Sequence, residues 1–312
     1  MDNSFKIMAF YEFAKIDDLS YIAERIKSYC KEENIRGTVI VAPEGINGTL
    51  AGLISSIDKF TEFINNLGFT NLNIKYSLAK IMPFYRLKVK EKKEIITMLG
   101  LSIDPSNPRG EMVSPNEWNE LIKQNETIVI DVRNEYESDI GSFNNSLKPN
   151  TESFLEFKEY IDEKLSDSKD KNIAMFCTGG IRCEKASYYM KSQGFENVFQ
   201  LNGGILKYLE DIDKKNSFWE GECFVFDNRV SVTHELERGT YELCRGCNNP
   251  ISLQDKQTNK YEKDVSCPKC YEFLSQDKKN RSRERSKQIQ LSEKHNRPYP
   301  YRDLTVDRYL QQ

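Results

Sequence analysis

The chain has 312 residues, 38% of them hydrophobic, enough for two or three globular domains and too polar for a membrane protein. Its longest apolar runs, such as Thr38–Ala42 and Ile128–Ile130, fall far short of a bilayer span, and MDNSFKIMAF lacks the basic and apolar regions of a signal peptide. The formal net charge of −3 gives no global sign of nucleic-acid binding, so any RNA site must be a local patch.

In the N-terminal third, FKIMAFYEF (Phe5–Phe13) reads as a strand. Asp17–Glu33 reads as a helix, because Leu19, Ile22, Ala23, Ile26 and Tyr29 recur at helical spacing. Thr38–Ala42 predicts a second strand. Asn47-Gly48 then suits a tight hairpin turn, and Thr49–Ala51 starts the return strand. Ile57, Phe60, Phe63, Ile64 and Leu67 mark a second helix, and Leu72–Tyr76 a last short strand. The order β-α-β-β-α-β is that of a ferredoxin-like sandwich. It carries no recognisable catalytic constellation and reads as a structural or substrate-docking module. The basic, aromatic stretch PFYRLKVKEKK (Pro83–Lys93) reads as a solvated strand edge, with stacking against RNA as the alternative.

Ser114 and Glu117 form a capping box that starts a helix in SPNEWNELI, and TIVIDVR is a buried strand ending in Asp131 and Arg133. Ile173–Phe176 is a short apolar strand, Cys177–Arg182 a turn and Glu184–Gln193 a helix that Gly194 can cap. A cysteine at the carboxyl end of a parallel strand, just before a helix, sits where α/β sheets place their ligands. Gly179 and Gly180 allow backbone N–H groups to turn toward the sulfur. Those groups, the helix dipole and Arg182 favour a thiolate, and the same cradle suits the terminal sulfur of a persulfide. A merely buried cysteine would explain neither the Gly-Gly turn nor the arginine. Cys183 reads either as a resolving thiol or as a plain helix-start residue. A scarcity of histidine, His234 and His295 alone, weighs against a Ser-His or Cys-His hydrolase.

This loop resembles the rhodanese superfamily. Asp131-Val132-Arg133 with Glu137, Cys177-x4-Arg182, and Leu201-Asn202-Gly203-Gly204 before a helix near Ile205–Asp211 carry the likeness. Related cysteine phosphatases hold phosphate in a longer loop; the shorter one here is better sized for one sulfur. Where many relatives have Gly-His after the early motif, this chain has Gly141-Ser142, which touches only a local packing contact.

FWEGECFVFDNRVSV reads as an aromatic strand pair turning at Asp227-Asn228, with Cys223 in the core. Cys244-x2-Cys247 and Cys267-x2-Cys270, nineteen residues apart, fit a four-thiolate structural zinc site better than a pair of redox motifs. With eight cysteines and no leader, a cytoplasmic protein is expected. The basic run from Lys278 reads as a solvated helix or disordered tail; RNA phosphate binding through Arg281, Arg283 and Arg285 is the alternative.

Together, EGINGTLAG, PFYRLKVKEKKEI, GEMVSPNEWNELI, DVRNEYE, CTGGIRCEKAS, LNGGILKYLE, GECFVFDNRV and the paired cysteines resemble the bacterial tRNA uridine(34) hydroxylase family, in the same order from about residue 5 to 290. The resemblance implies an oxidoreductase that uses O2 to form 5-hydroxyuridine at the wobble position of tRNA. Its catalytic cysteine falls on Cys177, with Arg182 beside it in the loop Thr178, Gly179, Gly180, Ile181 and Cys183. It implies the tRNA anticodon region as partner, with no membrane and no obligate protein partner. No flavin, haem or iron motif names an electron donor. Persulfide-based sulfur transfer and a non-enzymatic RNA-binding scaffold are the other readings. The expected organisation is a ferredoxin-like domain over 1–95, a linker over 96–112, a rhodanese-like α/β domain with a parallel sheet over 113–215, aromatic strands with the cysteine module over 216–275, and a basic tail over 276–312.

Overall fold

The computed structural model describes residues 4–98, 100, 103, 107–295 and 305–310. The N-terminal domain comprises β1 (Phe5–Phe13), α1 (Leu19–Glu32), β2 (Arg36–Ala42), β3 (Gly45–Gly52), α2 (Ile54–Asn66) and β4 (Asn73–Ala79), followed by β5 (Leu87–Glu91). The sheet runs β4-β1-β3-β2-β5, with antiparallel neighbours except for β5, which adds parallel to β2. This is the ferredoxin-like order with one further edge strand. Side chains alternate across the sheet. Met8 and Phe10 of β1 therefore pack with Ile26, Phe60 and Ile64 beneath the two helices, while Tyr11 emerges on the opposite face.

The hairpin turn differs from the one read off Asn47-Gly48. Ala42 opposes Gly45, so the two-residue turn is Pro43-Glu44, and Asn47 and Gly48 lie inside β3 opposite Ile40 and Val39. Glycine is needed at 48 for space: a Cβ there would lie 2.8 Å from the Phe10 ring and 3.0 Å from the Thr38 carbonyl oxygen.

The central domain starts with β6 (Glu111–Val113) and α3 (Pro115–Leu121), which Ser114 and Glu117 cap reciprocally as expected. It continues through β7 (Thr127–Asp131), α4 (Glu135–Ser138), β8 (Gly141–Phe143), α5 (Glu156–Lys164), β9 (Asn172–Phe176), α6 (Ile181–Ser192), β10 (Asn197–Leu201) and α7 (Gly204–Asp211). Its parallel sheet has the order β6-β10-β9-β7. Period-two alternation along β9 sends Ala174 and Phe176 into a core with Trp118 and Tyr208. Ile173, Met175 and Cys177 enter the other core, with Ala186 and Met190 of α6. That alternation aims the Cys177 sulfur at the start of α6. The helix begins at Ile181, earlier than expected, so Arg182 and Cys183 lie in its first turn.

The aromatic segment pairs differently from the simple hairpin expected. β11 (Trp219–Gly221) joins β8, because Trp219 packs edge-on against Phe143 in the central core; only β12 (Cys223–Phe224) and β13 (Ser231–Val232) pair across the Asp227-Asn228 turn. Cys223 is buried in that core, as expected. β14 (Glu242–Leu243) and β15 (Pro250–Ile251) carry the first cysteine pair's module, and the basic run forms α8 (Gln276–Lys294).

The two large domains are joined by a buried charge cluster. The Lys185 ammonium, with no exposed surface, donates to Glu44 Oε1 at 2.8 Å, Glu94 Oε2 at 2.5 Å and the Ile96 carbonyl at 3.0 Å. Breaking a buried pair strands an uncompensated charge and costs about 3–5 kcal/mol. Lys185→Met is therefore expected to lower stability by about that amount in denaturant unfolding at neutral pH. A loss no larger than that of an exposed substitution such as Lys164→Met would refute this account.

Candidate active site

The strand alternation that aims Cys177 at α6 is completed by a turn built for close approach. Gly180 adopts φ +100° and its N–H donates to Cys177 Sγ at 3.1 Å. Beneath the loop, Ile205 N–H donates to the Cys177 carbonyl at 2.9 Å and Leu206 N–H to the Thr178 carbonyl at 3.1 Å. A Cβ on Gly204 would lie 2.5 Å from the Cys177 carbonyl oxygen, so the second Gly-Gly turn exists to let α7 seat against this loop.

Cys177 is fully buried, which by itself opposes ionisation. The Cys183 thiol donating to the sulfur, the Arg182 charge, and the Cys183 and Gly180 backbone N–H groups outweigh that burial and lower Cys177 to about 5. Cys30 and Cys223 are equally enclosed but lack such donors, and burial pushes both up to about 12. Burial, then the hydrogen bond and the charge of Cys177, hold Cys183 well above the ordinary thiol range. Cys183 is thus a proton donor to the thiolate.

Arg182 does not reach the sulfur as a free fork. Its guanidinium is spent on Glu137, with both arms at 2.7 Å, and it acts on Cys177 through its charge. Asp131 and Arg133, both without exposed surface, form a second fork, and Ser142 donates to Asp131 at 2.7 Å. The serine in place of histidine therefore keeps a hydrogen bond to the early motif.

The N-terminal domain closes over this loop. Tyr11 donates to Glu184 Oε2 at 2.8 Å, and Arg109 reaches Glu184 Oε1 at 2.6 Å. Lys75 donates to the Gly179 carbonyl and to Asn73, and its ammonium lies 4.9 Å from the centre of the Tyr11 ring. Burial lowers Lys75 to about 8, against the opposing pull of Cys177 and Glu184. Burial, then Glu184, raises Tyr11 well above its ordinary value.

The four cysteines of the C-terminal third converge, with all sulfurs within 4.8 Å of one another. Cys244–Cys270 and Cys267–Cys270 are 3.8 Å apart and Cys247–Cys267 3.7 Å. Four thiolates about 2.3 Å from one tetrahedral ion would be about 3.8 Å apart, so the set fits a metal of the zinc type. Of the three arginines on α8, Arg281 and Arg285 are exposed, while Arg283 forks onto Glu262 with both contacts at 2.6 Å.

Residues 5–95 match the UPF0176 acylphosphatase-like domain, and residues 114–211 the rhodanese-like domain. The tRNA uridine(34) hydroxylase of Teredinibacter turnerae is 48% identical over 291 residues, covering 93% of this chain and 91% of that protein. The chain belongs to the tRNA uridine(34) hydroxylase family. Two solved structures each resemble about a third of the chain. The Alr3790 protein from Anabaena sp. is 19% identical with a TM-score of 0.28, covering 35% of this chain and 91% of that one. Human single-domain sulfurtransferase TSTD1 is 18% identical with a TM-score of 0.30, covering 33% and 99%.

In this member of the hydroxylase family the loop residues named from sequence, Cys177 to Cys183, do come together, and so do the four cysteines. Sequence reasoning missed Tyr11, Lys75, Arg109 and Glu137's part as the anchor of Arg182. Their roles come from packing between residues far apart in the chain, which no local pattern signals. Thiolate absorbance in the ultraviolet, taken as wild type minus Cys177→Ser, should appear as pH rises through about 5. Cys183→Ala should move that midpoint up by removing the donor. A wild-type midpoint in the ordinary thiol range would overturn this description.

Proposed function

We propose that the protein hydroxylates carbon 5 of the wobble uridine in tRNA, with Cys177 as the working residue and molecular oxygen as co-substrate. The observation that carries this reading is the near full-length kinship to a tRNA uridine(34) hydroxylase combined with an intact low-pKa Cys177 loop. Arg182, locked by Glu137, acts as fixed positive charge beside the sulfur. Thr178 to Cys183 shape the cradle, whether Cys177 works as thiolate or as persulfide. The substrate fits a cytoplasmic protein, and no helix among the described residues is long and apolar enough to cross a membrane. Arg281 and Arg285 add exposed positive charge for RNA phosphates, and Arg283 joins them by exchanging Glu262 for phosphate.

Cys244, Cys247, Cys267 and Cys270 hold zinc in this reading, and with four protein ligands the ion is structural. Metal analysis of protein purified without chelator should give about one zinc per chain. Chelation should loosen the C-terminal module and leave the central domain folded; protein carrying no metal would refute the assignment.

The function is tested in cells lacking their own hydroxylase. Nucleoside mass spectrometry of their tRNA should show 5-hydroxyuridine restored by the wild type in air and lost with Cys177→Ala. Undiminished product without oxygen, or thiolated uridine in its place, would move the assignment to sulfur transfer.

A further inference from the structure

Near the cysteine loop lies an open groove of about 530 Å3, walled mainly by three parts of the chain, with Thr38 and Tyr136 completing it. One wall is the strand β5 with the residues before it, a second is the hairpin tip between β12 and β13, and the third is the loop after Cys247. We propose that this groove holds the unpaired nucleotides flanking the target uridine, with Phe226 as the stacking platform and Arg86 and Lys88 as phosphate contacts. The assignment rests on the hydroxylase reading and adds to it the surface that grips the loop of the RNA.

Phe226 is 59% exposed, yet its surroundings are rigid. Its neighbours Asp227 and Arg229 are buried and forked together at 2.9 and 2.7 Å. Arg229 also donates to Ser77 Oγ at 2.9 Å, and Asn228 N–H donates to the Pro83 carbonyl at 2.9 Å, so the tip is pinned to the N-terminal domain. The ring packs edge-on against Phe224, yet more than half of it stays in water. It is preorganised for a flat partner, and stacking of bases on such rings is how unpaired RNA is held.

The charge in the groove matches a polyanion. Leu87 and Val89 pack against the N-terminal core, which turns Arg86 and Lys88 to the other face. Neither makes a salt bridge among the described residues. Burial, then repulsion from Arg86 and Lys90, lowers Lys88, so other cations lie close to it. The groove's one carboxylate, Asp227, is already committed to Arg229.

The groove neighbours the cysteine loop through Arg182. The Arg182 guanidinium lies 5.9 Å from the centre of the Phe226 ring, and Tyr136, whose neighbour Glu137 anchors Arg182, lines the wall. A strand stacked on Phe226 is therefore one side chain away from the cysteine loop. A duplex offers no free ring faces, so the groove selects unpaired RNA.

The test uses the full chain with two RNA probes: a hairpin carrying an anticodon loop, and a duplex of the same stem closed without it. Wild type should prefer the hairpin. Phe226→Ala should weaken hairpin binding roughly tenfold, about 1.4 kcal/mol, and leave duplex binding alone, with Phe226→Trp restoring it. Arg86→Ala with Lys88→Ala should lower the salt slope of hairpin binding by about 1 to 1.5, the release from two phosphates of a single strand. Under limiting tRNA, Phe226→Ala should raise KM more than it lowers kcat. If wild type hydroxylates tRNA and Phe226→Ala binds and reacts as wild type does, the groove assignment falls and the hydroxylase reading stands. If wild type hydroxylates no uridine, both fall. Equal weakening on hairpin and duplex would also overturn the role given to Phe226.

Discussion

The fully buried ammonium of Lys185 holds the two halves of the candidate site in register. It comes from α6 of the central domain and is met by Glu44 from the hairpin turn of the N-terminal domain and by Glu94 from the segment after β5. No water replaces either partner cheaply once the three are desolvated, so the domains cannot slide without paying for bare charge. The same helix sends Arg182 to Glu137, Cys183 to Cys177 and Glu184 to Tyr11. Four consecutive residues, Arg182 to Lys185, thus each hold a polar partner outside the helix. This is why α6 lacks an apolar stripe and is buried almost all round.

That arrangement decides the chemistry of the sulfur. Burial penalises the thiolates of Cys177, Cys30 and Cys223 alike; Cys223 has the charge of Arg133 nearby, but only Cys177 of the three is also given hydrogen-bond donors, and it alone is lowered. Its low value is therefore a property of the loop and the first turn of α6. The tyrosine and lysine from the facing sheet add polar contacts to a centre that the central domain already polarises.

Much of this was legible in the chain. Cys177 stood out because glycines and an arginine follow it within one turn, and the metal set because its spacing is local. The N-terminal order followed from helical and strand periodicity. The hairpin turn was misplaced because Asn47-Gly48 has strong turn chemistry, whereas the glycine serves the packing of Phe10. Tyr11 and Lys75 lie on strands where any polar residue reads as solvent-facing, and their partners are 173 and 104 residues away. Only the packing of one domain on the other gives them a role, and periodicity within one strand carries no such information. The part of Phe226 was hidden for the opposite reason: an aromatic strand residue is expected to be inside, and here it is outside.

The roof over Cys177 has a chemical consequence. Thiolates are the form of cysteine that peroxides attack, and repeated attack carries the sulfur to states that are not reversed. A centre ionised well below neutral pH would be the first casualty of oxidative stress if it lay open. Here it has no exposed surface, and Tyr11 and Lys75 close the approach. An oxidant in solution meets the Tyr11–Glu184 and Lys75–Gly179 contacts before it meets the sulfur. The N-terminal domain thereby shields the sulfur: the cysteine that its loop holds as a thiolate is also one kept out of contact with solvent.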